Sequence, residues 1–476
     1  MAVQNWDDHD RSNRFTANAS AKAYLDSCQE DAGAILFTIG DNDTFPLWYA
    51  QEIEGYRTDV RIVCTSLFET DWYVDQMKRK AYESDPIPSQ ITHEKYRWGS
   101  RDVLYHQPLT ENRWTIQDFI NWIDSDEPRT KFKYLFEQRG ADMSQYSEDT
   151  QNLVYYPTDK IRVPVNKENV LESGLVKEKD SALIVDYIDI DLPGAITKKS
   201  MMMLDIIANN DWKRPIYFSG GSFDDAEYIW MKDYLQLDGL AYKLVPIKTE
   251  RPNSFEMGRI DTDLMYDIVT QWDWGNAGDP NIYHDTQTRI QSVSYRGNLA
   301  RLMEKLIAEN KIEKAKDIIA LSLTHMPVEI FGYYTLVEPF VEGYYQVGET
   351  MKARELYGKL KTIYQERLDY HAGTPVDQQY NNIDNIIADM EAYRRNIDMV
   401  IANDEREMAE KETLIFNEYI DKFQHFYKDE DDIDMLQETF DNDPDLQDSV
   451  TIKDTITPDN TRTDALEDTT SIEVPQ

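Results

Sequence analysis

The chain has 476 residues, enough for about two or three domains with their own cores, and its 41% hydrophobic and 12% aromatic content is that of a globular protein. A net charge of −39 argues against sequence-independent nucleic-acid binding and against docking on an anionic membrane, both of which need clustered Lys and Arg. No apolar run reaches the roughly 18 to 20 residues that span a bilayer.

The start, MAVQNWDDHDRSNRF, lacks a basic stretch followed by an apolar one, so no signal peptide is expected. Cys28 and Cys64 are too few for a disulfide framework or a Cys-based zinc site. From Asp429 onward sixteen acidic residues face only Lys453 and Arg462, so this part carries −14 of the charge. Residues 428–476 are therefore expected to form an acidic disordered tail.

In chain order, TANASAKAYLDSC (16–28) reads as a helix and AILFTI (34–39) as a strand buried on both faces. Thr44-Phe45-Pro46 then predicts a helix start, with Thr44 as N-cap and Pro46 in the first turn, running to Gly55. DVRIVCTSLF (59–68) predicts a second strand and DWYVDQMKRKAYE (71–83) a second helix. This alternation points to a parallel sheet with right-handed crossovers.

Residues 86–180 break into short charged and Pro-containing blocks and read as an irregular insertion, with one helix at 115–126 and extended pieces within 155–166. The alternation then resumes: a strand at 182–192, a helix at 200–210, a strand at 214–221, a helix at 224–239 and a last strand at 240–248. From about residue 288 the period becomes 3.6. Segments 300–327 and 336–368 each predict a helix pair, with turns near Asn310 and Gly348 and with Ala315 and Ala353 at the crossings. The expected organisation is α/β: a parallel-sheet, Rossmann-like domain over 1–287, then an all-α tetratricopeptide-like repeat region over 288–427.

Two polar clusters carry candidate chemistry. In open α/β sheets ligands sit at the carboxyl ends of strands, beside helix N-termini, which is where Asp41, Asn42 and Asp43 fall. Their oxygens suit sugar hydroxyls or a divalent cation, and Trp48 or Tyr49 offers a platform for a sugar face. Asp and Asn also favour such turns by bonding local backbone, so capping is the plainer reading. The second cluster, Asp7, Asp8, His9, Asp10 and Arg11, sets three carboxylates around a His and resembles a metal-ligand set, but a solvated acidic surface explains it as simply. No GxGxxG follows the first strand, and the sequence has no GxxxxGK[ST], GxSxG or HExxH. Gly220-Gly221 reads as a tight turn or an anion cradle.

Together NWDDHDRS (5–12), FTIGDNDTFPLWYAQEIEG (37–55), TDWYVDQMKRKAY (70–82) and NDWKRPIYFSGG (210–221) resemble one family over roughly residues 3 to 425. It is similar to the soluble C-terminal part of a bacterial family of large membrane proteins, long labelled a domain of unknown function. That family is grouped with membrane-embedded glycosyltransferases of the lipid-linked-sugar type, similar to protein O-mannosyltransferases.

The resemblance implies a polytopic membrane half ahead of the WDDHDRS segment, carrying the transfer chemistry, and a soluble part on the periplasmic face. The chain begins almost at that segment and so looks like a truncated form. The expected function is an accessory domain that recognises or positions an acceptor glycan or protein, with its own membrane half as partner and no catalysis alone. The alternatives are a free-standing carbohydrate- or metal-dependent enzyme using Asp41, Asp43 and the Asp8–Asp10 cluster, and a structural interaction scaffold. No cofactor is expected beyond a divalent cation in the enzyme reading.

Overall fold

The apolar run at 34–39 becomes β1 (Ile35–Thr38), buried at every position. The computed structural model describes Trp6 and residues 10–220, 229–249 and 257–426. Asp7, Asp8, His9, Gly221 and the tail after Phe426 lie outside the described residues.

Helix α1 (Thr16–Asp26) precedes β1, and α2 (Gly40–Glu52) follows it directly. Strand β2 (Arg61–Cys64) comes next, then α3 (Asp71–Met77). The insertion contributes α4 (Ile116–Asp124), and α5 (Lys198–Asn210) leads into β3 (Ile216–Ser219). Strands β4 (Leu235–Asp238) and β5 (Ala241–Leu244) complete the central sheet, in the order β4–β5–β3–β1–β2. Leu36, Ile62 and Tyr217 from this sheet pack with Ala21 and Leu25 of α1 and with Leu47 and Ala50 of α2.

The sheet is mixed, not parallel throughout as expected. β1 pairs in parallel with β2 and β3, whereas β5 runs antiparallel to both β3 and β4. The cause is a tight hairpin at Gly239-Leu240 between β4 and β5. Of the expected helix at 224–239, residues 224–228 lie outside the described residues, and from Ile229 it gives way to the 3-10 turn Ile229–Tyr234 and strand β4, where Leu-Gln-Leu-Asp alternates with a period of two.

A second difference concerns 182–192. Its strand, Tyr187–Asp191, joins not the central sheet but a small one with Lys160–Pro164 and Trp114–Thr115. Only Ile188 and Ile190 of that strand are buried, the one-sided pattern of a strand with a solvated face. A third sheet joins Val103–His106 to Tyr155–Tyr156 and Ala195–Thr197.

Helices α6 (Thr262–Val269), α7 (Thr286–Ala308) and α8 (Ile312–His325) follow, with the α7–α8 turn at Asn310 and Ala315 buried. By compactness the chain divides into Met1–Tyr333 and Tyr334–Gln476. The second unit is helical over its described residues, with α9 (Glu338–Gln346), α10 (Thr350–Ala372), α11 (Ile383–Ala402) and α12 (Arg406–Phe423). Among the described residues no helix is long and apolar enough to cross a membrane.

Candidate functional site

The Gly-Asp-Asn-Asp stretch is the first turn of α2, not a loop ahead of it. Ile39 occupies the N-cap position, and Gly40 has φ +76°, a left-handed backbone that lets the chain pass from strand to helix in one residue. Thr44 is thus inside the helix and not its cap. Its hydroxyl donates to the Gly40 carbonyl at 2.7 Å and lies 2.7 Å from Thr38 Oγ1. Pro46 sits deeper than the first turn and has no N–H to offer the Asn42 carbonyl four residues back.

The three polar side chains of this turn divide. Asp43 Oδ2 accepts from Ser219 Oγ at 2.8 Å and from Ile39 N at 3.4 Å, so it fastens the ends of β1 and β3. Burial pushes its carboxyl above the usual range, against the lowering effect of those bonds. Asp41 and Asn42 are exposed. Thr65, just after β2, donates through both its N–H and its hydroxyl to the Thr38 carbonyl, which ties in the third strand end.

Beyond Asp41 the outer face of α2 is aromatic. Phe45, Tyr49 and Ile53 follow at four-residue steps and are all exposed, Phe45 by 51%. Trp48 is half-buried, stacked on Phe45 with ring centroids 5.5 Å apart, lies 6.5 Å from the Tyr73 ring, and packs against the core that α1 and α2 cover. Tyr73 is buried and its hydroxyl accepts from Cys64 N at 2.9 Å, so it anchors the rings to the end of β2. Trp72, 55% exposed, packs edge-on against Tyr73 at 5.6 Å. Next to it Asp71 accepts from Trp72 N and Trp98 N, and these two backbone bonds hold its carboxyl below the usual range. Trp98 is 82% exposed.

Flat apolar ring faces beside carboxylate and amide oxygens suit a sugar: the rings cover its C–H face, and the oxygens take its hydroxyls. Asp41, Asn42, Trp48 and Tyr49 fall together on this surface. Phe45 was not singled out in the sequence, although an aromatic four residues after Asp41 was a signal to be had; Trp72 and Trp98 lie on other segments and left none. Ser219 left no such trace.

The N-terminal cluster goes elsewhere. Asp10 accepts from Ser12 N and Oγ, and Arg11 pairs at 3.0 Å with Asp285, the N-cap of α7, which Arg14 also reaches. Among the described residues no group of three or more His, Cys, Asp or Glu is placed to hold a metal ion. Gly220 is a packing glycine: a Cβ there would lie 2.7 Å from the Tyr242 ring.

No curated protein and no solved structure matches this chain. A family model does, over residues 17–264, a span that holds the whole central sheet, α2 and the exposed rings and leaves out Asp10, Arg11 and the second unit. The chain belongs to the family described as TMEM260-associated domain 2.

Proposed function

We propose that the chain is an extracytoplasmic accessory module of a membrane glycosyltransferase-like protein, which recognises and positions an acceptor glycan on the outer face of α2 at the periplasmic side. The observation that supports this reading is the run Asp41, Phe45 and Tyr49 with Trp48 alongside, which presents rings and oxygens to solvent where an amphipathic helix would place charge. The family's description as TMEM260-associated fits a domain that works beside another polypeptide. Metal-dependent catalysis at Asp41 and Asp43 draws less support, because Asp43 is committed to Ser219 and to backbone. The second unit's paired helices suit a protein partner in the manner of tetratricopeptide repeats.

Titration with neutral oligosaccharides, followed by tryptophan fluorescence and calorimetry, tests the reading. Binding is expected in the wild type and is lost in Trp48→Ala and in Phe45→Ala, with each variant still unfolding cooperatively. Unchanged affinity in both variants overturns it. Turnover of a polyprenyl-linked sugar by this chain alone would overturn the accessory role.

A further inference from the structure

A cavity of about 640 Å³ opens in the first unit on the face of the central sheet that α1 covers in part. Cross-strand register explains its chemistry. One row of side chains runs Gln236, Lys243, Tyr217, Leu36, Ile62 across β4, β5, β3, β1 and β2. Leu36 and Ile62 pack under Ala21 and Leu25 of α1 in the apolar core. The other half of the row is polar and lines the cavity, together with Asp238 two residues along β4.

These floor groups are deeply buried, Lys243 at 3% and Asp238 at 1% exposure. Lys243 Nζ meets Asp238 Oδ2 at 2.8 Å, and Gln236 Nε2 donates to Asp238 Oδ1 at 2.8 Å. A buried ion pair of this kind is often no more stabilising than apolar side chains of the same volume. Folding alone therefore gives little reason for it. Asp238 takes one of the three donors on the ammonium, which leaves two for another acceptor. Tyr217 accepts from Gln29 N at 3.0 Å and keeps its own hydroxyl proton to give, since burial holds the phenol neutral. On the wall, Gln29 Oε1 is buried with no hydrogen-bond partner. The cavity thus offers donors and an acceptor at a scale that encloses a small molecule.

Charge narrows the ligand. The lining carries Asp26, Glu30, Asp180, Asp261 and Asp267 in addition to the floor pair, against Arg57 and Lys177. Arg57 is already held by Asp59 through two bonds. Asp180 is matched by Arg259 and Asp261 by Lys177 and Lys179, which leaves Asp26, Glu30 and Asp267 as the wall's acids outside an ion pair among the described residues. An anion would enter against this acidic wall. A cation would end on Lys243. An uncharged molecule with many hydroxyls uses the donors and the acceptor with neither cost.

We infer that this cavity is a binding site for a small neutral polyhydroxylated ligand, of about mono- to disaccharide size, held on the Lys243–Asp238–Gln236 floor. The site shares no residue with the exposed rings of α2, and the inference does not rest on the function proposed for them.

The test uses the full chain and a charge series on one ring: glucose, maltose and myo-inositol as neutral probes, glucosamine as cation and glucose 6-phosphate as anion. At millimolar concentration a neutral probe is expected to raise the unfolding temperature by several degrees, with a matching calorimetric heat, and glucose 6-phosphate to do neither. Two variants locate the effect. Lys243→Met combined with Asp238→Leu removes the pair while keeping volume, and Leu264→Trp fills the cavity from α6 without touching the floor. Both are expected to weaken binding by at least about tenfold. Trp48→Ala is expected to leave it unchanged. Absence of a shift with all three neutral probes overturns the inference. So does a shift that survives in both cavity variants, and its loss in Trp48→Ala would then assign the sugar to α2. The Leu264→Trp variant decides the matter if the double variant does not fold.

Discussion

Asp43, on the first turn of α2, accepts a hydrogen bond from Ser219, which lies 176 residues further along the chain at the end of β3. The contact closes the carboxyl ends of two parallel neighbours and sets Asp43 apart from Asp41 beside it. Asp43→Ala leaves Ser219 Oγ and Ile39 N without this acceptor and is expected to cost about 1 to 3 kcal/mol. Asp43→Asn keeps one acceptor oxygen and is expected to cost under about 1 kcal/mol. Asp41→Asn, on an exposed side chain, is expected to stay within about 0.5 kcal/mol of wild type. Denaturant midpoints with unchanged slopes measure all three. A cost at Asp41 equal to that at Asp43 would contradict the division of roles.

Asp205 on α5 gives a pH dependence. It is fully buried, and its carboxylate gathers Ser89 Oγ, Gln90 N, Ile91 N and Asn209 Nδ2. Burial outweighs these bonds and pushes the carboxyl from 3.8 up to about 6. A raised acid favours its neutral form in the fold. Its stabilising contribution is thus complete below 3.8 and is lost as the pH rises through about 6. Asp205→Asn mimics the neutral acid at every pH, with Ser89 Oγ free to turn and accept. The stability difference between wild type and this variant is expected to move in the variant's favour between about pH 4 and pH 7. A difference that is flat across this window would show that Asp205 titrates normally.

Gly239 sets the hairpin that makes the sheet mixed. Its φ is +65°, and a Cβ would fall 2.5 Å from Ser27 Oγ and 2.9 Å from the Trp272 ring. Backbone strain and overlap act together, so Gly239→Ala is expected to destabilise by about 2 kcal/mol or more. Gly55→Ala is the comparison. It shares a positive φ, at +64°, but has open space around the new methyl, so it is expected to cost about 1 kcal/mol. Equal costs at the two sites would mean that the hairpin relaxes around the added group.

What could be read in the sequence followed from local signals. The uninterrupted run 34–39 marked β1, and the turns at Asn310 and Gly348 separated helices of the right period. The hairpin was missed because Leu-Gln-Leu-Asp is only four residues long and abuts a segment with helical spacing. The polar row Gln236, Lys243 and Tyr217 was hidden for a deeper reason. Each residue is ordinary on its own strand, and only the register of three strands brings them side by side. For the candidate surface, the helix sequence alone exposed Asp41, Trp48 and Tyr49, but Trp72 connects to it only through Tyr73, whose contact with Trp48 no spacing rule contains.

The second unit offers the sharpest check on helix pairing. Ala353 lies early in α10 and has no exposed surface, and α9, which precedes the turn at Gly348, buries Phe340, Val341 and Gly343. A small residue at such a place lets two helices approach closely, and a large one must push them apart or twist out of its rotamer. Ala353→Trp is therefore expected to destabilise the unit by about 1 to 3 kcal/mol or more. Met351, 75% exposed on the same helix, is the control, and Met351→Trp is expected to stay within about 0.5 kcal/mol of wild type. Ala353→Gly separates volume from helix propensity, since it adds no bulk and costs only about 1 kcal/mol through the backbone. Urea unfolding followed by far-ultraviolet circular dichroism reads all three. If Ala353→Trp unfolds at the same midpoint as Met351→Trp, residue 353 faces solvent and the pairing of α9 with α10 is wrong.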